Sequence, residues 1–324
     1  MRRIARSLDR SVSSISDEIR INGGRIRYRA DRAAVKAKRK RKNSKVQCLK
    51  VAMSPSLKKY VIEKMEDEWS PELIAGRLKN EEKDPVAVSA KAIYKFVYSV
   101  HGRKIEKLLY SKKHAHKGPK RGSRKPSLDG RTMIDKRPAS IDSREEFGHF
   151  EGDFIESGRD GKGSLLHLVE RKTRYSFLVK VEDRKTIAVN ALIAKTLSGV
   201  DPLSLTLDND LSFAKHVALS ELLKTSVYFC HAYHSWEKGT VENRNKAVRK
   251  DFPKRTDFSL ISESAVKETE TKLRTRPLKI LGFKTPQEAW EKEMLIRASL
   301  KVASKTDQDI ISTLSTFINI ECSD

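Results

Sequence analysis

Asp153 interrupts the apolar, strand-like run Phe150-Glu151-Gly152-Asp153-Phe154-Ile155, where a carboxylate calls for a chemical reason. Downstream, Leu203-Ser204-Leu205-Thr206-Leu207-Asp208 alternates apolar and polar residues. The leucines therefore share one face of a strand, Ser204, Thr206 and Asp208 share the other, and Asp208 stands at the C-terminal end. In Trp236-Glu237-Lys238-Gly239-Thr240-Val241-Glu242-Asn243, Thr240 after Gly239 is expected to cap a helix and to put Glu242 in its first turn. Three acids on three rigid elements point to a metal site.

The elements that must position these acids follow from the pattern between Gly148 and Phe252. Leu165–Glu170 and Tyr175–Val181 read as strands that continue a meander from the Asp153 strand. An amphipathic helix over Ile187–Leu197 precedes the Asp208 strand. A helix over Ser212–Leu223 and a short strand, Val227-Tyr228-Phe229-Cys230, precede the Glu242 helix. Three strands and then helix, strand, helix, strand, helix is the order of a ribonuclease-H-like α/β domain, a mixed sheet flanked by helices. The expected catalytic domain covers residues 143–300, with a tail over 301–324.

Upstream the chain is expected to be all-α. Ile4 and Leu8 lie one helical turn apart, Asp9-Arg10-Ser11 supplies turn and cap chemistry, and Val12, Ile15 and Ile19 form the next apolar stripe. This reads as the second and third helices of a helix-turn-helix, with an ordinary basic helical hairpin as the alternative. Ser13, Ser14, Asp17 and Arg20 face outward, where a recognition helix meets bases and phosphates. Such a unit needs an earlier helix to close its core, so a truncated unit is expected over residues 1–45. A second helix-turn-helix-like unit is expected over 46–100. Ser70-Pro71-Glu72 and Ser89 open its helices, Ala92, Ile93, Phe96 and Val97 are buried, and Lys91, Tyr94, Lys95 and Tyr98 lie outside. Residues 101–142, rich in Lys, Gly and Pro, read as a basic linker without a packed core; His114 and His116 there lack partners at ligand spacing.

The formal net charge of +24 predicts a polyanionic partner, nucleic acid before others. Residues 1–60 hold 19 basic against 4 acidic side chains, a net of +15, so most of the excess is N-terminal. No apolar run approaches the roughly 18 residues of a membrane span, so the expectation is a cytoplasmic protein without a membrane partner. Cys48, Cys230 and Cys322 show no CxxC spacing and are expected to be buried free thiols.

Gly148-His149-Phe150-Glu151-Gly152-Asp153, Leu207-Asp208-Asn209 and the run from Tyr228 to Asn243 resemble the catalytic blocks of insertion-sequence transposases of the IS-thirty family. So do Arg274-Thr275-Arg276-Pro277 and Leu281-Gly282-Phe283-Lys284-Thr285-Pro286. Arg2-Arg3-Ile4-Ala5-Arg6, Ile15-Ser16-Asp17-Glu18-Ile19-Arg20 and Trp69-Ser70-Pro71-Glu72 resemble its two helix-turn-helices. The 33 residues between Asp208 and Glu242 match the family's acid spacing.

The resemblance implies a transposase that binds terminal inverted repeats and target DNA as a homo-oligomer, associated with the bacterial nucleoid. It implies that Asp153, Asp208 and Glu242 are both the catalytic residues and the ligands of two Mg²⁺ ions, with Mn²⁺ as a substitute. Asn245, Lys246 and Arg249, on one face of the Glu242 helix, are expected to meet DNA with Ser13, Ser14, Arg20, Lys91, Lys95 and Lys238. Asn209, Trp236, Lys238 and Asn243 are candidates for supporting the site, and His149 and Glu151 for a place behind Asp153; packing or capping is the alternative for each. On this reading neutralising one acid relieves repulsion, leaving metal-free stability unchanged or slightly raised. The chain departs from the family pattern at Asp210, where Gly is usual, at Asp17, where a basic residue is common, and at Ala232, where Pro is common. Asp17 and Asp210 would add negative charge near phosphate or metal. The competing functions are a metal nuclease that does not join strands and an inactive relative acting as a repressor.

Overall fold

The computed structural model describes residues 1–43, 48–82, 84–109, 130–158, 162–231 and 234–300, apart from the side chains of residues 42, 43, 235 and 236. The chain forms two compact units, Met1–Ser111 and Lys112–Asp324. His114, His116, Cys322 and Ala232 lie outside the described residues.

The first unit is helical: α1 Arg2–Ser7, α2 Val12–Ile21, α3 Gly24–Arg27, α4 Ala30–Asn43, α5 Lys50–Met53, α6 Pro55–Glu66, α7 Pro71–Asn80 and α8 Ala90–Val97. Ser11, Ser70 and Ser89 each cap the helix that follows, accepting from Ser14 N, Leu73 N and Ala92 N. Leu57, Val61, Met65, Ile74, Leu78, Ile93, Phe96 and Val97 close one core. Tyr94 Oη donates to Glu72 Oε1 at 2.9 Å and so ties α8 to α7. The α1–α2 pair differs from expectation, since Ile4, Leu8 and Val12 are exposed and only Ala5 is buried in these two helices. The expected linker is also packed at its ends. Ile105 joins the core of the first unit, and Thr132–Met133 forms an edge strand of the second.

The second unit is built on one six-stranded sheet: β1 Thr132–Met133, β2 His149–Glu156, β3 Ser164–Glu170, β4 Ser176–Val181, β5 Ser204–Leu207 and β6 Ser226–Phe229. Its order is β1-β6-β5-β2-β3-β4; β2, β3 and β4 pair antiparallel, while β2–β5, β5–β6 and β1–β6 pair parallel. Apart from the edge strand this is the ribonuclease-H-like arrangement. The helices are α9 Ser140–Ser143, α10 Thr186–Thr196, α11 His216–Leu223, α12 Gly239–Asp251, α13 Glu263–Thr275 and α14 over 286–300.

Strand alternation sends Phe150, Leu166, Leu168, Leu205 and Leu207 to one face, where Val189, Ile193 and Leu219 of α10 and α11 cover them. On the other face Ile155, Leu165 and Leu178 pack against Val248, Phe252, Val266 and Leu273 of α12 and α13 and the following turns. Two cores, one on each face, fix β2 and β5 rigidly in the middle of the sheet. Gly152 allows this packing, because a Cβ there would stand 2.7 Å from Leu207 Cδ2 and 3.1 Å from Leu168 Cδ2.

Candidate active site

Glu151 on β2 and Thr206 on β5 are register partners in adjacent parallel strands. Asp153 and Asp208 each lie two residues further on, so they leave the same face of the sheet side by side. α12 packs on that face against β2 and β3 and carries Glu242 in its first turn. The three expected acids therefore border one corner of the sheet, though among the described residues they are not a closed ligand set with donor atoms all within 4.8 Å.

Glu151 secures the corner. It is fully buried, and its Oε2 accepts from Thr240 N and Val241 N at 2.9 Å each, which caps α12. The cap expected from Thr240 is thus supplied by a residue 89 positions upstream, while Thr240 Oγ1 accepts from Arg174 at 2.8 Å. Arg171 Nε stands 3.2 Å from Glu151 Oε1 and balances its charge. One carboxylate thereby joins the strand of Asp153 to the helix of Glu242.

Of the two expectations for Lys238, contact with DNA and support of the site, its burial fits the second: the side chain is only 8% exposed. Its Nζ donates to Asp153 Oδ1 at 2.8 Å and to Gly152 O at 3.2 Å. Burial alone would depress its pKa; the charges of Asp153 and Asp208 overcome this and raise it. The fixed ammonium stands where a cation is attracted by both aspartates, and so marks the site as one that carboxylate oxygens and positive charge together fit.

Asn245 likewise turns inward rather than toward DNA. Its Nδ2 donates to Asp153 Oδ2 at 2.7 Å, and its Oδ1 lies 2.6 Å from His167 Nδ1. Burial pushes the His167 pKa down to about 4, so the ring is neutral and Nδ1–H donates to the amide. Both Asp153 oxygens are therefore held, one by an ammonium and one by an amide that a buried imidazole orients.

This alters the stability expected of Asp153→Asn. Relief of repulsion would leave stability unchanged or raised, but the structure shows that the substitution strips a buried lysine of its direct counter-charge. Such a loss costs about 3–5 kcal/mol when fully buried; Asp153 is 24% exposed and Asp208 still attracts, so we expect about 2 kcal/mol. Urea unfolding in chelator checks it, and unchanged stability would refute the pairing.

The other expected residues are placed as follows. Lys246 is exposed and donates to Asn243 Oδ1 at 3.2 Å, and Arg249 donates to Glu156 O at 2.6 Å. Asn209 donates to Cys230 O at 2.6 Å, a structural bond. His149 is buried between Ser204 Oγ at 2.7 Å and Glu146 Oε2 at 2.8 Å, remote from Asp153's oxygens in its bonding. Asp210 binds Arg184 at 2.9 Å, a guanidinium it shares with Glu156, and caps Ser212 N. Asp17 pairs with Arg20 at 2.9 Å, and Ser13, Ser14, Arg20, Lys91 and Lys95 are all exposed on α2 and α8. Cys230 is buried as expected, with its thiol pushed up to about 12 by burial, whereas Cys48 is exposed. The side chain of Trp236 lies outside the described part of the chain.

Comparison with known proteins decides the family. The chain is 35% identical over 305 residues to the transposase InsI for insertion sequence element IS30A of Escherichia coli (strain K12), covering 90% of this chain and 79% of that protein. The chain belongs to the IS30 family of transposases. The transposase for insertion sequence element IS4351 of Bacteroides fragilis is 34% identical over 79% of this chain and 78% of its own. That for element IS1086 of Cupriavidus metallidurans is 30% identical over 88% of this chain and 87% of its own. No protein-family model matches. The catalytic core domain of BIV integrase aligns at a TM-score of 0.39 and 17% identity, over 47% of this chain and 98% of its own, and adds nothing to the topology already described.

Proposed function

We propose that this IS30-family transposase cleaves and joins DNA strands at Asp153, Asp208 and Glu242. The observation that carries the reading is the register that sets Asp153 beside Asp208, with the Glu242 helix capped onto the same strand by Glu151. Transposases of this kind work with divalent metal ions, and here the finer reading is two Mg²⁺, replaceable by Mn²⁺, held by the three carboxylates. Bound there, the ions would lower the pKa of the attacking oxygen and stabilise the leaving oxygen during in-line displacement at phosphorus. The chain's own residues supply aim. Asn245 fixes the Asp153 carboxylate plane, Lys238 holds positive charge against it, and Glu151 sets where Glu242 begins its helix. On this reading Lys246 and Arg249, further along α12, meet the DNA strand that enters the corner.

The first unit is the proposed reader of the element's terminal inverted repeats, through Ser13, Ser14 and Arg20 on α2 and Lys91 and Lys95 on α8. Each is exposed. Target DNA and a homo-oligomeric assembly on DNA belong to the same proposal. No helix among the described residues is long and apolar enough to cross a membrane.

The deciding experiment supplies the full chain with a pre-cleaved duplex end bearing a 3′-hydroxyl, in Mg²⁺, and looks for that end joined to a second duplex. Joined products support transposition. Cutting without joining would leave a nuclease, and binding without either a repressor. A separate expectation concerns binding. With the net charge of +15 in residues 1–60 engaging six to ten phosphates, affinity for duplex DNA should fall about 10³–10⁵-fold between roughly 50 and 200 mM salt. Affinity flat across that range would show that the basic N-terminal region does not carry binding.

A further inference from the structure

The acid triad is not the only metal-ligating arrangement in this unit. Between β6 and α12 the chain runs His231-Ala232-Tyr233-His234-Ser235-Trp236-Glu237, and the donor atoms of His231, His234 and Glu237 all lie within 4.8 Å of one another. We propose that these three side chains bind one transition-metal ion of the zinc type, at a site separate from the three catalytic acids.

The geometry is close to what such an ion needs. Ligands about 2.0–2.1 Å from a tetrahedral ion stand about 3.3 Å apart. Glu237 Oε1 lies 2.9 Å from His231 Nδ1 and 3.3 Å from His234 Nδ1, and the two imidazole donors lie within 4.8 Å of each other, so side-chain rotation of the partly exposed histidines closes the set on an ion. The supporting contacts are already made. Glu237 Oε2 accepts from His231 N at 2.8 Å, which fixes the carboxylate. His231 Nε2 lies 2.9 Å from Asp135 Oδ2, on the turn after β1. A ligating histidine regularly donates its second ring N–H to a carboxylate in this way, which sets the tautomer that leaves Nδ1 for the metal. Binding would displace the proton that His231 Nδ1 otherwise shares with Glu237.

Donor type separates the two sites. Two imidazoles and one carboxylate favour Zn²⁺ or its neighbours over Mg²⁺, whereas the oxygen-only triad favours Mg²⁺. His231 and His234 are partly exposed, at 32% and 43%, so the ion can enter, and water can complete its shell. The ion would pin the turn after the edge strand to the segment that leads into Lys238 and the Glu242 helix.

The test strips the full chain with chelator, exchanges it into excess Mg²⁺ to fill the oxygen-only site, and titrates Zn²⁺ alone by calorimetry; Co²⁺ absorption in the visible reports histidine ligation. One saturable Zn²⁺ per chain is expected, together with a higher Tm. His234→Ala and Glu237→Gln should each abolish the site, Asp135→Asn should weaken it about 10–100-fold, and Asp208→Asn should leave it intact. His234 is exposed enough that its loss spares the fold, which far-ultraviolet circular dichroism verifies. No saturable Zn²⁺, or Zn²⁺ bound as well by His234→Ala and Glu237→Gln as by the wild type, overturns the proposal. The latter result would place the ion elsewhere, as on the exposed Cys48 thiol.

Discussion

Glu242→Gln should fold and bind DNA as the wild type does, yet lose metal-dependent strand cleavage by about 10³-fold or more. The amide keeps the shape of the carboxylate and removes its charge. Metal ions supply several kcal/mol of transition-state charge stabilisation, and about 4 kcal/mol corresponds to about 10³ in rate. Stability should move by no more than about 0.5 kcal/mol, because the Glu242 side chain is half-buried and no hydrogen bond or ion pair joins it to a described residue. Single-turnover cleavage together with thermal melts checks both halves. A variant that loses activity only because it unfolds would mean that Glu242 is structural.

Glu151→Ala should have the largest effect on stability of any substitution near the site, about 3 kcal/mol or more. The carboxylate is fully buried and serves both the first turn of α12 and Arg171. Its removal uncaps the helix, typically worth about 1 kcal/mol, and leaves Arg171 buried with Asp142, at 3.4 Å, as its remaining ion-pair partner among the described residues. Cleavage should fall as well, since the helix start that places Glu242 is released from β2. Urea unfolding of Glu151→Ala beside Glu242→Gln separates the two roles. The first should shift the midpoint strongly and the second hardly at all, and a Glu151→Ala midpoint at the wild-type value would contradict the capping account.

The contrast between these two glutamates shows what could be read in the sequence. Asp208 was legible because alternation in Leu203–Asp208 fixes both face and strand end, and Asp153 because a charge in an apolar run is conspicuous. Element order then led to the sheet, since three meander strands followed by strand–helix alternation fit few topologies. The short edge strand Thr132–Met133 escaped because two residues inside a Lys- and Gly-rich segment carry no periodicity. Helix position alone turns Asn245 toward DNA, and the sequence leaves Lys238 between contact with DNA and support of the site. Their partners on β2 and β3 lie 78 to 92 residues away, and no local pattern encodes such pairs. Glu151 did leave a signal, since it stands two residues before Asp153 and so shares its face of the strand, the face that α12 covers. The α1–α2 pair followed its periodicity into helices, but amphipathic spacing alone does not provide the surface that would cover Ile4, Leu8 and Val12.

The central claim, that Asp153, Asp208 and Glu242 act by ligating metal, is tested most directly by exchanging the donor atom at one of them. Asp208→Cys replaces a hard oxygen with a soft thiolate, which suits Mg²⁺ poorly and more thiophilic ions such as Mn²⁺ better. Strand cleavage by this variant is therefore expected to be lost in Mg²⁺ and recovered in large part in Mn²⁺, while the wild type cleaves in both. Cleavage by Asp208→Cys at the wild-type rate in Mg²⁺ would contradict the account, because Asp208 would then not be a ligand.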